Sequence, residues 1–380
     1  MRLAVPAESS PHETRVSLPP DGVAAFVKDG WDVAVQAGAG VRAGFGDDLY
    51  QKAGAALAPD VAATFQQAEV VCMIGPPSPE YVSRMSPGTL LFSLLDPFTT
   101  PNLVSQLASG GITAFALEAI PRTTLAQSMD VLSSQATAGG YAAVLLAASE
   151  SPRFFPMFVT AAGTIPPSKL LVLGVGVAGL QAIATGRRLG AQVSAYDIRP
   201  ETREQVESLG ARFVAAPTEQ GDDSGYAKEV SVDTQQQQHA ALAPHVAAAD
   251  VVITTAQIPG RPAPLLVTTA MVEAMKPGSI VVDMAAGTGG NVEPSRPDET
   301  VLVNGVRVLG PTNLAASVAA DASRMFGRNL INLIKHMKSD DGTITVDLGD
   351  EITGGCCITK DGSVVHPRLR PGATEETRNE

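Results

Sequence analysis

Gly174, Gly176 and Gly179 stand within residues 169–182, where an apolar run passes through G-x-G-x-x-G into residues suited to a helix start. A second apolar run, 192–196, ends at Asp197, 21 residues after Gly176. Together these residues suit the binding of a dinucleotide. Gly174 allows a tight turn, Gly176 lets a pyrophosphate approach the backbone, and Gly179 lets the helix pack closely on the strand. A helix starting at Val177 aims unpaired N–H groups and its positive dipole end at the phosphates. Asp197 offers acceptors to both hydroxyls of an adenosine ribose and repels a 2′-phosphate, which favours NAD(H) over NADP(H). The alternative readings are a glycine turn in an ordinary βαβ unit and an S-adenosylmethionine site.

A second constellation lies upstream. Gln127, Asp130 and Ser133 recur every three residues. On a helix they form one polar stripe, flanked by Met129 and Leu132. Arg122 precedes it. A solvent-facing stripe explains the pattern equally well from composition alone. Its place at the start of a long helix between two strand sets instead predicts that it lines a cleft. There an amide, a carboxylate, a hydroxyl and a guanidinium suit a nicotinamide carboxamide and its ribose.

The elements that position these residues alternate between strand and helix. Strand-like runs occur at 2–5, 32–36, 70–74, 89–93 and 112–115, and again at 192–196, 251–255, 279–283 and 306–309. This order predicts an α/β fold with two Rossmann-like parallel-sheet domains around a cleft. Two long helical stretches, 125–148 and 315–337, link them. The expected boundaries are 1–130 with 325–380 for a discontinuous N-terminal domain, and 140–315 for the NAD(H)-binding domain. Strand-like segments at 343–348 and 362–366 return the tail to the first domain. Residues 216–238 read as an exposed loop leading into a polar helix.

Composition narrows the functional classes. At 380 residues the chain exceeds one usual core. A net charge of -12 argues against nucleic acid or anionic lipid as a partner. No apolar run reaches the roughly 18 residues that span a bilayer, and the start lacks a basic signal-type segment. A cytoplasmic protein without direct membrane insertion is expected. The three cysteines, Cys72, Cys356 and Cys357, fit neither a disulfide framework nor a zinc spacing, so no metal is expected.

Several blocks carry a family resemblance: 121–134, 160–167, the glycine turn, Asp197-Ile198-Arg199, 225–229, 257–264 and 318–323. Over nearly the whole chain the sequence resembles the NAD(H)-binding alpha component of proton-translocating NAD(P) transhydrogenase, in the alanine dehydrogenase/transhydrogenase family. The resemblance implies that Arg122, Gln127, Asp130 and Ser133 serve the nicotinamide half, with Gln127 and Asp130 orienting the reacting ring. It assigns Gly174, Gly176, Val177, Gly179, Asp197, Ile198 and Arg199 to the pyrophosphate and adenosine. It places Gly225, Tyr226 and Ala227 in a loop that closes over bound nucleotide. It further implies a homodimer, with partner subunits that bind NADP(H) and span the membrane, and a position at the inner membrane face through those partners. The sequence ends before any membrane helix, as in organisms where this component is a separate chain.

Alanine dehydrogenase is the alternative within the family, and a non-catalytic NAD-sensing module is another. Oxidative deamination needs a carboxylate anchor and acid/base groups at the substrate carbon. Arg15 matches the dehydrogenases' carboxylate-binding arginine. Their lysine position, however, falls on Met73, their histidine on Asp96 and their aspartate on Gly287. Transhydrogenases usually carry an acid at the last of these, so Gly287 departs from that pattern too. Hydride transfer between two nicotinamide rings needs positioning rather than acid/base groups.

Overall fold

The computed structural model describes residues 1–216, 232–258, 261–339 and 342–370. These form two compact units. One holds Met1–Gln135 and the described chain from Ala315 onward; the other holds the described part of Ala136–Leu314.

The first unit begins with β1 (Arg2–Val5), β2 (Asp32–Gln36), β3 (Ala56–Ala58), β4 (Val70–Cys72), β5 (Leu90–Ser93) and β6 (Thr113–Ala116). The second contains the hairpin β7 (Phe158–Thr160) and β8 (Gly163–Ile165), then β9 (Lys169–Leu173), β10 (Gln192–Tyr196) and β11 (Arg212–Val214). It continues with β12 (Val251–Thr254), β13 (Ile280–Asp283), β14 (Thr300–Val303) and β15 (Val306–Leu309). The tail adds β16 (Cys357–Lys360) and β17 (Ser363–Val364) to the first unit.

Both main sheets are largely parallel. The first runs β17-β16-β6-β5-β4-β1-β2-β3, and only the β16 pairings are antiparallel. The second runs β11-β10-β9-β12-β13-β15-β14, antiparallel only between β14 and β15. Strand order reverses between β1 and β4, and between β9 and β12. At such switch points the connections leave on opposite sides and open a crevice beyond the carboxyl ends of the strands.

Burial on both faces explains the unbroken apolar runs. In β9, Leu170 and Val172 face one core with Ala143, Val144 and Ala147 of the helix Val131–Glu150. Leu171 and Leu173 face another, with Leu242 and Val246 of the helix Val232–Ala248. The first sheet does the same: Leu3 and Val5 lie on one side, Ala4 on the other.

The tail departs from expectation. Residues 343–348 alternate like a strand yet form no ladder, and Ile344 makes only an isolated bridge to Lys338. An alternating run becomes a strand only where a sheet edge accepts it. The β6 edge is taken by the Cys357 segment, whose thiols are buried. The expected helix 315–337 is also divided, into a 3-10 turn Leu314–Val318 and the helix Ala319–His336.

The helix Val131–Glu150 is long and apolar enough in composition to cross a membrane, although no uninterrupted apolar run fills it. Its inner face packs on protein. A Cβ on Gly140 would stand 2.2 Å from the Ala178 carbonyl oxygen, so the two helices touch backbone to backbone.

Candidate functional site

The glycine turn follows β9 and leads into the helix Val177–Arg188. Gly174 has φ +97°, which favours glycine, and a Cβ there would stand 2.7 Å from Thr255 Oγ1. A Cβ on Gly179 would stand 2.0 Å from the Gly174 carbonyl oxygen. At Gly176 a Cβ would meet nothing within 4 Å. Among the described residues the space over Gly176 is therefore open, and no side chain caps the helix that begins at Val177. That combination fits a pyrophosphate: a backbone cradle with room above it, at the positive end of a 12-residue helix.

Asp197 follows β10 and is 7% exposed. Its Oδ2 accepts the Val175 N–H at 2.7 Å, and its Oδ1 accepts the Arg199 N–H at 3.0 Å. The Arg199 guanidinium adds a fork, with Nε to Oδ1 and Nη2 to Oδ2, each at 3.0 Å. Sequence reasoning gives Asp197 the ribose. The structure gives it a second task, since its carboxylate pins the middle of the glycine turn. Ribose hydroxyls gain both oxygens only by displacing the Arg199 fork. Ile198 is buried in the apolar cluster with Tyr196 and Val214, so its side chain serves the core. Burial, and then the nearby Asp197 charge, push the Tyr196 phenol up to about 12.

The second constellation lies in the first unit and differs locally from expectation. Gln127, Asp130 and Ser133 do not share one helical stripe. Gln127–Met129 form a 3-10 turn, Asp130 is extended with ψ 93°, and the helix begins at Val131. The cause is capping: Asp130 accepts the Ser133 N–H at 2.9 Å and the Ser133 hydroxyl at 2.6 Å. Its carboxylate thereby starts the helix instead of continuing it. Ala126, Met129 and Val131 anchor the turn in the first core, which leaves Gln127 and Arg122 exposed. The stretch 217–231, with Gly225, Tyr226 and Ala227, lies outside the described residues.

Arg15 is 6% exposed and bound on every side. Its Nη2 pairs with Glu13 at 2.6 Å, its Nε with the same carboxylate at 2.8 Å, and its Nη1 donates to Gln135 at 2.6 Å. Met73 is wholly buried in apolar surroundings, and the Asp96 carboxylate accepts the Thr99 hydroxyl. A Cβ at Gly287 would have only ordinary contact, 3.5 Å to Thr312, so the missing side chain is not excluded by crowding.

Comparison with known proteins agrees with this geometry. Residues 4–139 match the model of the alanine dehydrogenase/PNT N-terminal domain, and 143–367 that of the C-terminal domain. An NAD(P) transhydrogenase alpha-subunit chain of Rhodospirillum rubrum is 45% identical over 379 residues, covering 97% of this chain and 99% of that protein. A solved transhydrogenase structure from Sinorhizobium meliloti superposes with a TM-score of 0.88 at 43% identity, covering 96% of this chain and 100% of that one. Alanine dehydrogenase of Bacillus subtilis is more distant, 30% identical over 296 residues, or 77% of this chain and 72% of its own. The chain belongs to the alanine dehydrogenase/PNT family.

Proposed function

We propose that the chain is the NAD(H)-binding alpha component of an NAD(P) transhydrogenase, an oxidoreductase that works with partner subunits. One observation carries the reading: an intact dinucleotide cradle at 174–179 accompanies an Arg15 whose guanidinium is already bound by Glu13 and Gln135. A deaminating site needs that arginine for a substrate carboxylate, and acid/base groups beside it. When bound, NADH supplies the hydride, and NADP⁺ on a partner subunit receives it. The chain's own residues bind and orient. Gly174, Gly176, Val177 and Gly179 cradle the pyrophosphate, while Asp197, Ile198 and Arg199 serve the adenosine. Gln127 and Asp130 orient the reacting ring, and Arg122 and Ser133 hold its carboxamide and ribose. Membrane-spanning partners couple the transfer to proton movement and hold the chain at the inner membrane face.

The deciding experiment mixes this chain with the NADP(H)-binding domain of a transhydrogenase and follows reduction of an NAD analogue by NADPH. Transfer is expected. A mixture that transfers nothing despite confirmed NADH binding would overturn the reading in favour of an NAD-sensing module.

Asp197→Ala should weaken NADH binding by roughly 1–3 kcal/mol, as for a buried charge-assisted bond. Because Asp197 also holds Val175, the same variant should loosen the glycine turn and lower the melting temperature. In the unmodified chain NADPH should bind far more weakly than NADH, and equal affinities by calorimetry would refute the assigned selectivity.

A homodimer completes the proposal. Phe154, Met157, Phe158, Val159 and Ile165, on and beside the β7–β8 hairpin, are 40–72% exposed. A bare two-stranded ribbon is marginal in water, and so much exposed apolar surface calls for a cover. A second copy presents the same surface, which suits a two-fold contact. Light scattering should give twice 39.2 kDa. Val159→Glu should shift the mass to that of one chain.

A further inference from the structure

We infer that Asn291 is a positioning residue for the nicotinamide side of the dinucleotide site, acting through the backbone at residues 255–258. This rests on the transhydrogenase reading above. In the second sheet, Asp197 marks the β10 side of the glycine turn for adenosine. The other half of a dinucleotide that crosses the switch point therefore falls on the β12 side. The chain leaving β12 follows there: the ladder with β9 and β13 ends at Thr254, Thr255 still donates its N–H to the Leu173 carbonyl at 2.8 Å, and beyond it no described strand pairs with the segment.

Asn291 supplies that partner. It is wholly buried, and its amide pairs with Ala256 in both directions. Its Oδ1 accepts the Ala256 N–H at 3.1 Å, and its Nδ2 donates to the Ala256 carbonyl at 2.8 Å. The same Nδ2 donates to the Pro264 carbonyl at 2.8 Å, so both ends of the 256–264 segment hang from one side chain. The Asn291 backbone is fixed in turn by Asp283, also wholly buried, which accepts the N–H groups of Ala285, Asn291 and Val292 and the hydroxyl of Thr254. Gly290 has φ +81°, and a Cβ there would press to 2.9 Å from Asp283 Oδ2. The network reaches the cradle through Thr255, whose hydroxyl donates to the Gly174 carbonyl at 2.9 Å.

A buried amide with every donor and acceptor used holds its partners in one arrangement. Asn291→Asp keeps the shape and the acceptor toward the Ala256 N–H, but turns an oxygen toward two carbonyls. Asn291→Ala removes the pairing altogether. Neither change removes a bond made directly to the glycine turn or to Asp197, and the Thr255 hydroxyl bond to Gly174 stays in place, so NADH should still bind.

The test uses the full chain in three measurements: amide hydrogen exchange of the unloaded protein, NADH affinity by fluorescence, and transfer to NADP⁺ on a transhydrogenase NADP(H)-binding domain. In the Asn291 variants exchange should speed up at residues 256–258 and 261–266, NADH affinity should stay within about threefold, and transfer should fall about tenfold or more, as for a misplaced reactant. Leu242→Ala, in the core beneath the same sheet, is the control for general destabilisation and should transfer at the unmodified rate. Transfer within about twofold of the unmodified chain would overturn the inference, as would an equal fall in Leu242→Ala or a parallel loss of NADH affinity. If both Asn291 variants fail to fold, Thr254→Val decides by the same criteria, since it removes one donor to Asp283 and keeps the volume. An unmodified chain that binds NADH but never transfers fails the underlying reading, whereas a selective defect in the variants supports this inference.

Discussion

Gly179→Ala will abolish useful NADH binding and destabilise the chain at once. The new Cβ would stand 2.0 Å from the Gly174 carbonyl oxygen and 3.3 Å from Thr255 Oγ1. The nearer obstacle is backbone, so a side-chain rotation cannot relieve it. Either the helix Val177–Arg188 lifts from β9 or the turn itself shifts. The turn is held from two directions, by Asp197 at Val175 and by Thr255 at Gly174, so a shift breaks those bonds. Overpacking of this kind costs about 1–3 kcal/mol in a well-packed site. The loss in affinity should be about a hundredfold or more, equivalent to roughly 2.7 kcal/mol. Gly176→Ala separates the two effects. Its φ is −82°, and its Cβ would meet nothing within 4 Å among the described residues, so the free protein should melt as before. Only the approach of a pyrophosphate would be blocked. Melting curves with and without NADH check both: Gly179→Ala lowers the unliganded midpoint, while Gly176→Ala loses only the ligand-induced rise. An unliganded midpoint for Gly179→Ala equal to that of the unmodified chain would refute the argument.

The contrast between these glycines shows what a sequence reveals. Glycines at fixed spacing after an apolar strand announce a backbone constraint, because only close approach or positive φ demands them. The parallel strands are readable for a similar reason, since burial on both faces leaves continuous apolar runs such as Leu170 to Leu173. Short edge strands are not. Arg212–Val214 is too brief to show a period, and the run at 343–348 shows one without finding an edge. The β14–β15 hairpin does carry a local signal: Asn304-Gly305, both at positive φ, is a strong two-residue hairpin turn. Asp130 misleads for a physical reason, because a three-residue polar spacing describes a helical face and an N-cap with its third residue equally well. The pairing of Asn291 with Ala256 leaves no local trace. It joins a side chain to a backbone 35 positions away, and backbone groups carry no sequence identity.

Gln127→Asn should slow hydride transfer by on the order of a hundredfold while leaving NADH affinity within about twofold. Gln127 is the cleaner probe of its constellation. Asp130 caps the helix Val131–Glu150 through Ser133, so its removal costs about 0.5–2 kcal/mol of stability before any chemistry is measured. Ser133 shares that bond. Gln127 is exposed, and its turn is held by its backbone and by the buried Ala126 and Met129, so shortening its side chain leaves the fold alone. Asparagine presents the same amide with one methylene less reach. The change leaves the proposed pyrophosphate and adenosine contacts at 174–179 and 197–199 intact. Transfer between two rings depends on their alignment, and a displacement of about 1 Å is enough to cost two orders of magnitude. The measurement is single-turnover transfer at saturating nucleotide beside an NADH titration. Equal losses in rate and affinity would mean that Gln127 contributes uniform binding rather than orientation. An unchanged rate would remove it from the ring's surroundings altogether.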